Sequence, residues 1–324
     1  YLGCGFAALV TVMKLAFVFP GQGSQSVGMM AGYDDLPIVR ETFVEASDIL
    51  GQDFWTLVSN GPAEDLNMTI NTQPLMLMAG VAVHRAWESL DGAKPSILAG
   101  HSLGEYTALV VSGALGFQDA LSLVRYRAQI MQEAVPEGVG AMAAILGLAD
   151  EVVASICQDV SQSDKPESLE PANFNSPGQV VIAGHKNAVL KGIDLAKEKG
   201  AKRAVMLPMS IPSHCRLMAA AAEKMRSQLT LIPLQTPGTP VLHNVDVRTY
   251  RDADAIRDIL AQQLFSPVRW VDTIRKLAAD GVTHIVECGP GNILTGLDKR
   301  IDRDLQHLSL SKSETIREAI SVLC

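Results

Sequence analysis

Apolar and polar residues follow two different periods along this chain, and together these periods predict a mixed α/β fold. Continuous apolar runs at 15–19 and 97–99 are typical of buried parallel strands. Stretches with apolar residues at spacings of three and four predict helices at 38–58, 74–90 and 118–132. Strands that alternate with helices predict a parallel sheet covered by helices, which is an α/β fold class.

Outside these blocks the pattern predicts connections and a few later elements. Residues 60–73 are polar and include Asn and Pro, which predicts a connecting segment. Towards the C-terminus the same reasoning predicts a helix at 254–265 and a strand at 283–288, followed by a loop at 289–292.

The pattern changes after Pro136-Glu137-Gly138. From there to residue 207 it predicts a strand, a helix, two strands joined by a turn, a helix and a strand. This β-α-β-β-α-β order, within about seventy residues, is typical of a ferredoxin-like domain. We therefore predict a small inserted domain at 138–208, with a charged surface loop at 161–170, inside a discontinuous larger domain formed by 14–137 and 209–320.

The first residues form a separate case. Tyr1 to Val12 is apolar, lacks the basic start of a signal peptide and is too short to span a bilayer. Met13-Lys14 has the form of a natural start directly before a strand. We interpret 1–13 as an upstream or vector-derived segment; an ordered extra segment is the alternative.

The apolar run 97–99 leads directly into Gly100-His101-Ser102-Leu103-Gly104, and a helical pattern follows. A strand, a sharp turn and a helix are the context of a nucleophile elbow, where glycines allow a turn tight enough to expose the serine hydroxyl. The start of the helix would also aim unpaired N–H groups at an anion formed there. A turn serine that only caps a helix is the alternative.

A second glycine-containing loop, Pro20 to Gln25, follows the first predicted strand. It lacks the third glycine of a dinucleotide-binding loop and the Gly-Lys-Ser/Thr of a P-loop, which argues against a nucleotide phosphate. We predict that its backbone N–H groups lie beside the serine and supply half of an oxyanion hole. A plain glycine turn is the alternative.

Arg127 lies on the apolar face of its predicted helix, with apolar residues one turn before it and one turn after it. A buried guanidinium is costly unless it meets an anion, and no acidic residue lies at helical spacing. Either a distant Asp or Glu pairs with it, or the anion is a substrate.

Two further polar residues are candidates for the same site. His214 is predicted at or near a helix start with Ser213 as its cap, where the helix dipole favours a neutral imidazole suited to a general base. Gln263 faces inward on its predicted helix, and a histidine ring is one candidate partner for its buried amide. A purely structural role is the alternative for both.

Composition limits the possible partners. The 324 residues are 48% apolar and 19% charged, with a net charge of −8 and no long basic run, which argues against nucleic-acid or anionic-membrane partners. Five cysteines without C-x-x-C spacing fit a reducing cytoplasm and argue against a thiolate zinc site. The histidines show no ligand spacing, so we expect no metal.

Five motifs occur in order along the chain: Phe-Pro-Gly-Gln-Gly-Ser-Gln at 19–25, Gly-His-Ser-Leu-Gly-Glu at 100–105, Asn-Phe-Asn-Ser-Pro at 173–177, Pro-Ser-His at 212–214 and Gly-Pro-Gly at 289–291. In this combination the chain resembles the malonyl-CoA:acyl-carrier-protein transacylase family of bacterial fatty-acid synthesis. The resemblance implies an α/β-hydrolase-like large domain with a ferredoxin-like insert.

The resemblance also implies a ping-pong transfer of malonyl from malonyl-CoA to the phosphopantetheine thiol of acyl carrier protein. It implies that Ser102 is the nucleophile, that His214 is the base and that Gln263 orients this base. It also implies that the N–H groups of Gln22 and Leu103 form the oxyanion hole and that Arg127 binds the substrate carboxylate. It implies no cofactor beyond the coenzyme A thioester. We expect a cytoplasmic monomer.

Three other functions stay open at this point. A serine esterase or thioesterase would use the same elbow and histidine, although Arg127 and the lack of an obvious acidic triad partner count against it. A catalytically silent module that docks on carrier proteins would not need Ser102 and His214 together. An acyltransferase for another extender unit would share the chemistry and differ in its substrate.

Overall fold

The computed structural model describes residues 13–162, 167–208 and 211–323. The predicted upstream segment, apart from Met13, therefore lies outside the described residues, as does the middle of the predicted charged loop at 161–170.

Helices and strands alternate along the described chain. The first part contains β1 (Leu15–Phe19), α1 (Pro37–Leu50), α2 (Phe54–Asn60), α3 (Ala63–Asn67), α4 (Thr69–Ser89), β2 (Ile97–Gly100), α5 (Gly104–Val111) and α6 (Phe117–Glu133). The middle part contains β3 (Gly140–Leu146), α7 (Asp150–Ser161), β4 (Leu169–Ser176), β5 (Gln179–His185), α8 (Lys186–Glu198) and β6 (Arg203–Met206). The last part contains α9 (Ala219–Leu229), β7 (Val241–Leu242), α10 (Ala253–Gln263), α11 (Trp270–Ala279), β8 (His284–Glu287), α12 (Ile293–Ile301), β9 (Gln306–Ser309) and α13 (Ser313–Leu323).

A five-stranded parallel sheet in the order β7-β2-β1-β8-β9 forms the centre of the larger part. All of β1 is buried, and its alternate residues face two different apolar layers: Phe17 and Phe19 point to one, Ala16 and Val18 to the other. Burial on both faces explains why these strands are continuously apolar instead of alternating. The predicted α/β class with a parallel sheet is confirmed.

The middle part forms its own sheet. Its four strands pair antiparallel in the order β4-β5-β3-β6, and α7 and α8 pack on it over a separate apolar core. The element order is the β-α-β-β-α-β order that the sequence predicted. The strand β4 also reaches the larger part, because the N–H of Phe174 donates to the carbonyl oxygen of Val268 at 2.9 Å.

The structure differs from the predicted helices near the N-terminus. The helix predicted at 38–58 is two helices, because Gly51 adopts a left-handed conformation with φ 64° and the side chain of Asp53 caps the start of the second. The segment 60–73, predicted as a connection, contains α3 and the first turn of α4. Nearly all of α4 is buried among α1, α5 and α6, and this packing overrides the local signal of Pro74 inside the helix.

Among the described residues, no helix is long and apolar enough to cross a membrane.

The core around β1 gives a stability prediction. Phe17 is fully buried and meets Trp87 edge to face, with ring centroids 5.4 Å apart. Phe17→Ala should lower the free energy of unfolding by about 3–5 kcal/mol through lost burial and the cavity left behind. Leu231→Ala is the control, because Leu231 is 74% exposed and its truncation should stay within about 0.5 kcal/mol. Urea denaturation measures both, and equal effects would contradict this account of the core.

Candidate active site

Backbone crowding shapes the turn that carries Ser102. A Cβ added at Gly100 would lie 1.9 Å from the carbonyl carbon of Gly104, and one at Gly104 would lie 2.0 Å from the carbonyl oxygen of Phe19. Neither position has room for a side chain. Ser102 itself adopts the left-handed conformation, with φ 52°, which is rare for residues other than glycine. The turn is therefore the sharp elbow that the sequence predicted.

Asn244 holds this turn from the end of the neighbouring strand, since it follows β7, which pairs with β2. Its Oδ1 accepts from the N–H of Ser102 at 2.7 Å, and its Nδ2 donates to the carbonyl oxygen of Gly100 at 2.6 Å. A single buried amide thus binds the main chain on both sides of the turn and offsets part of the cost of the left-handed serine.

Ser102 and His214 form a hydrogen-bonded pair. The Ser102 Oγ lies 2.7 Å from the His214 Nε2, and the His214 Nδ1 lies 2.8 Å from the main-chain oxygen of Gln263. A carbonyl oxygen only accepts, so the Nδ1 carries the proton and the Nε2 is left as an acceptor for the serine hydroxyl. This is the tautomer that a general base needs.

His214 is kept neutral by its surroundings. Burial, and next the positive charge of Arg127, lower the pKa of His214 to about 3. The predicted helix start is not where the sequence placed it: α9 begins at Ala219, after a short 3-10 turn at Arg216–Met218, and Ser213 caps neither. The neutral state therefore comes from burial and not from a helix dipole.

Arg127 lies in the same site. It is 1% exposed; its Nη1 donates to the Gln73 Oε1 at 2.9 Å, and its Nη2 donates to the Gln263 Oε1 at 2.9 Å and lies 3.4 Å from the Ser102 Oγ. The guanidinium also lies over the ring of Tyr106, 5.5 Å from its centroid.

The charge of Arg127 is incompletely satisfied. Its Nε has no hydrogen-bond acceptor, and within the described ranges no Asp or Glu lies at ion-pair distance from it. Burial lowers the pKa of this guanidinium, which expresses the cost of a buried cation. Of the two alternatives from the sequence, a distant acidic partner in contact is not found. An anion that reached this pocket would meet a positive charge beside the serine oxygen.

The loop 20–25 lies against the elbow. A Cβ added at Gly21 would lie 2.4 Å from the carbonyl oxygen of His101 and 3.6 Å from the nitrogen of Leu103. In the part of the chain that the structure describes, the main-chain N–H groups of Gln22 and Leu103 have no protein acceptor. Unpaired N–H donors in the elbow and in the loop packed against it can stabilise a developing oxyanion.

The Gln263 side chain differs in its contacts from what we predicted. Its amide does not bind the histidine ring; the main-chain oxygen does. The side-chain Nε2 donates to the carbonyl oxygen of Ser102 at 2.9 Å and to the Glu105 Oε2 at 3.1 Å, and its Oε1 accepts from Arg127. Gln263 thus contacts the nucleophile, the base and the buried cation at once.

Sequence reasoning missed three residues that complete the site: Gln73, Glu105 and Asn244. Gln73 lies in the segment predicted as a connection, although the residues after it are strongly apolar. Glu105 has no predicted role beyond being the last residue of the Gly-His-Ser-Leu-Gly-Glu motif. Asn244 follows the two-residue strand β7, which the pattern did not predict. The sequence signal that they share is a polar residue inside an apolar stretch. This signal is weak as long as the contacts of the residue in the folded chain are unknown.

The middle part of the chain also reaches the elbow. The His101 Nε2 lies 2.8 Å from the Oδ1 of Asn175 on β4. Burial lowers the pKa of His101, so this ring is neutral as well. Within the described residues, no group of three or more His, Cys, Asp or Glu side chains is arranged to hold a metal ion.

Comparison with known proteins places this geometry in a family. A family model described as "Acyl transferase domain" matches residues 16–307. The malonyl CoA-acyl carrier protein transacylase of Escherichia coli K12 is 51% identical over 310 residues, which cover 95% of this chain and 99% of that protein.

Solved structures agree with this match. The acyl-carrier-protein S-malonyltransferase of Burkholderia pseudomallei is 53% identical, has a TM-score of 0.93 and covers 95% of this chain and 100% of its own. A malonyl-transacylase in complex with a type II PKS acyl-carrier protein is 48% identical with a TM-score of 0.93, and covers 95% of this chain and 99% of its own. The resemblance found in the sequence is confirmed, and this chain belongs to the acyl transferase family, among proteins similar to the malonyl CoA-acyl carrier protein transacylases.

Proposed function

We propose that this protein transfers the malonyl group from malonyl-CoA to the phosphopantetheine thiol of acyl carrier protein in fatty-acid synthesis. One observation carries the proposal: Arg127 is buried, lacks an acidic partner in contact among the described residues, and lies 3.4 Å from the Ser102 Oγ. An acyl group that ends in a carboxylate satisfies this cation while its thioester carbon meets the serine. About half of all positions are identical in full-length transacylases, which supports the same substrate.

The first half-reaction forms an acyl-enzyme. The His214 Nε2 takes the proton from the Ser102 Oγ, and the oxygen attacks the thioester carbonyl. The N–H groups of Gln22 and Leu103 hold the resulting oxyanion, each contributing roughly a factor of 10² to 10³ in rate. The carbon–sulfur bond then breaks, and the coenzyme A thiolate takes the proton from His214.

The second half-reaction reverses these steps with a new thiol. The phosphopantetheine thiol of the carrier protein gives its proton to the His214 Nε2 and attacks the malonyl-serine ester. The tetrahedral intermediate collapses, the carbon–oxygen bond breaks and the Ser102 Oγ regains its proton from His214. Nucleophile, base and oxyanion donors are all groups of the protein, so this reaction uses no metal and no cofactor beyond its thioester substrate.

Arg127 provides the specificity in this proposal. Charge-assisted hydrogen bonds from a guanidinium to a carboxylate are worth about 1.5–3 kcal/mol each. The Nε of Arg127 has no partner, so it is one more donor for the malonyl carboxylate. Gln263 orients His214 through its main-chain oxygen and Arg127 through its side chain. An acetyl group leaves the cation unsatisfied and is rejected for that reason.

The same proposal extends to the architecture. We infer an α/β-hydrolase-like domain formed by 14–137 and 209–320, with a ferredoxin-like domain inserted at 138–208; the parallel sheet and the separate antiparallel sheet support this division. We also propose that the protein is a monomer. The five cysteines lack C-x-x-C spacing, which fits the cytoplasm.

Acylation of Ser102 tests the proposed function directly. Brief mixing with malonyl-CoA should add one malonyl group to the intact protein, and Ser102→Ala should abolish the adduct because no nucleophile remains. Intact-protein mass spectrometry measures both. Steady release of free coenzyme A and malonate without any adduct would favour a thioesterase, and no reaction at all would favour a docking module.

The role of Arg127 gives a second prediction. Arg127→Ala should lower kcat/KM for malonyl-CoA by about tenfold or more, because at least one charge-assisted bond is lost, and acetyl-CoA should change far less. Arg125→Ala is the matched control on the same helix, since Arg125 binds the carbonyl oxygen of Leu50 and the side chain of Gln52 instead. An unchanged preference for malonyl-CoA in Arg127→Ala would refute the assignment.

The low pKa of His214 predicts an unusual pH profile. An ordinary histidine base loses activity as the pH falls through about 6.5. Here the folded protein keeps His214 neutral down to a pKa of about 3, so acylation should stay flat from about pH 7.5 to pH 5. Stopped-flow coenzyme A release measures the rate, with circular dichroism as the control for folding. A half-maximal rate near pH 6.5 would contradict the burial argument.

A further inference from the structure

The side chain of Glu105 is a buried carboxylate that takes part in no step of the proposed reaction. It is 0% exposed and lies in the first turn of α5, three residues after Ser102. Burial of a charged group is costly unless all of its hydrogen bonds are made, so a carboxylate at this place calls for an explanation.

Three donors converge on this carboxylate. The His243 Nδ1 lies 2.7 Å from the Oε1; the main-chain N–H of Asn244 donates to the Oε2 at 2.9 Å, and the Gln263 Nε2 donates to the Oε2 at 3.1 Å. Two of these donors belong to residues that contact the active site, because Asn244 binds the elbow and Gln263 binds Arg127.

The carboxylate, together with the main-chain oxygen of Ser102, determines which way the Gln263 amide faces. An amide side chain has two orientations of almost equal shape, one with its oxygen where the other has its nitrogen. An ionised carboxylate only accepts hydrogen bonds, so the Nε2 of Gln263 faces Glu105 and the Oε1 faces Arg127. The reversed orientation would set the NH₂ group against the guanidinium, donor against donor, and would bring the two oxygens of Gln263 and Glu105 together.

We propose that Glu105 is a positioning residue for malonyl specificity: it fixes the amide of Gln263, and this amide fixes the guanidinium of Arg127 beside Ser102. The inference rests on the proposed function, since it assigns a role within the site that binds the malonyl carboxylate. Gln73 holds the other side of the guanidinium, at 2.9 Å from the Nη1. Arg127 is thus held between two amide oxygens, and only the amide of Gln263 has its orientation set by a carboxylate.

The charge of Glu105 acts in the same direction. Burial lowers the pKa of Arg127, and the neighbouring Tyr106 hydroxyl and then the carboxylate of Glu105 oppose this effect. The Gln263 amide separates Glu105 from Arg127, so the carboxylate favours the charged guanidinium without contacting it, and the Nη2 stays 3.4 Å from the Ser102 Oγ. A carboxylate in direct contact would instead occupy the donors that the substrate needs.

Two substitutions separate orientation from charge. Glu105→Ala removes the carboxylate and leaves the Gln263 Nε2 with the main-chain oxygen of Ser102 as its acceptor, so the amide is held less firmly in its orientation. Glu105→Gln keeps an oxygen for Asn244 and Gln263 and turns its NH₂ group to the His243 Nδ1. His243 can accept there by changing its tautomer, since its Nε2 has no hydrogen-bond partner in the present arrangement.

The measurement is the ratio of kcat/KM for acylation by malonyl-CoA and by acetyl-CoA. Loss of active protein lowers both rates equally and cancels in this ratio. Glu105→Ala should lower the ratio by about tenfold or more, because a misplaced guanidinium loses at least one charge-assisted bond to the malonyl carboxylate. Glu105→Gln should keep the ratio within about threefold of the unmodified protein, a limit well below the loss of one such bond.

Several results would overturn the inference. It fails if Glu105→Ala lowers kcat/KM for malonyl-CoA and for acetyl-CoA by the same factor. It also fails if Glu105→Gln loses the preference for malonyl-CoA as fully as Glu105→Ala. Should Glu105→Ala fail to fold, Glu105→Asp replaces it: this shorter carboxylate cannot reach all three donors, so a reduced ratio supports the inference and an unchanged ratio refutes it.

The Arg127→Ala variant keeps the two levels of proposal distinguishable. If Arg127→Ala retains the preference for malonyl-CoA, the carboxylate site of the proposed function is wrong. If Arg127→Ala loses the preference and Glu105→Ala keeps it, the proposed function stands and only the role of Glu105 fails.

Discussion

The site depends on how closely the main chain of the elbow approaches its neighbours. Gly100 and Gly104 leave no space for a Cβ, and the end of β1 packs directly on the start of α5. This contact fixes Ser102 in a left-handed conformation and brings the loop 20–25 beside it. Ser102 and the N–H groups of Gln22 and Leu103 are therefore held by backbone geometry, whereas His214 and Arg127 reach the site with side chains from elsewhere in the chain.

Those side chains come from distant parts of the chain and share one buried hydrogen-bond network. Gln263 links Ser102, Glu105 and Arg127 through its amide and reaches His214 through its main chain. In a medium of low polarity such a network is rigid when it is complete, and a missing partner is costly. Among the buried atoms without a hydrogen-bond partner, the Nε of Arg127 belongs to a positively charged group, and a substrate carboxylate could complete the network there. The guanidinium that lacks a full set of hydrogen bonds is thus the same group that is proposed to select the substrate.

Much of this could be predicted from the sequence because its signals are local. The apolar runs of β1 and β2, the glycines of the elbow and the inward face of Arg127 are each defined by residues only a few positions apart. The start of α4 could not be predicted, because burial outweighs its polar residues and Pro74. The contact between Ser102 and Asn244 could not be predicted either, because Asn244 is 142 residues away and the contact exists only once the sheet has formed. Ser213 was wrongly predicted as a cap because the helix it precedes begins later.

The bond between His214 and the main-chain oxygen of Gln263 has a consequence for how this protein tolerates change. Every residue type carries that oxygen, so no point substitution at 263 deletes the acceptor. The orientation of the His214 ring therefore depends on the main-chain path at the end of α10 and not on a side chain. Substitutions there change the side-chain contact with Arg127, whereas an insertion or deletion that shifts this path removes the acceptor that orients His214. In the proposed reaction, single substitutions could therefore change the specificity while His214 keeps its orientation.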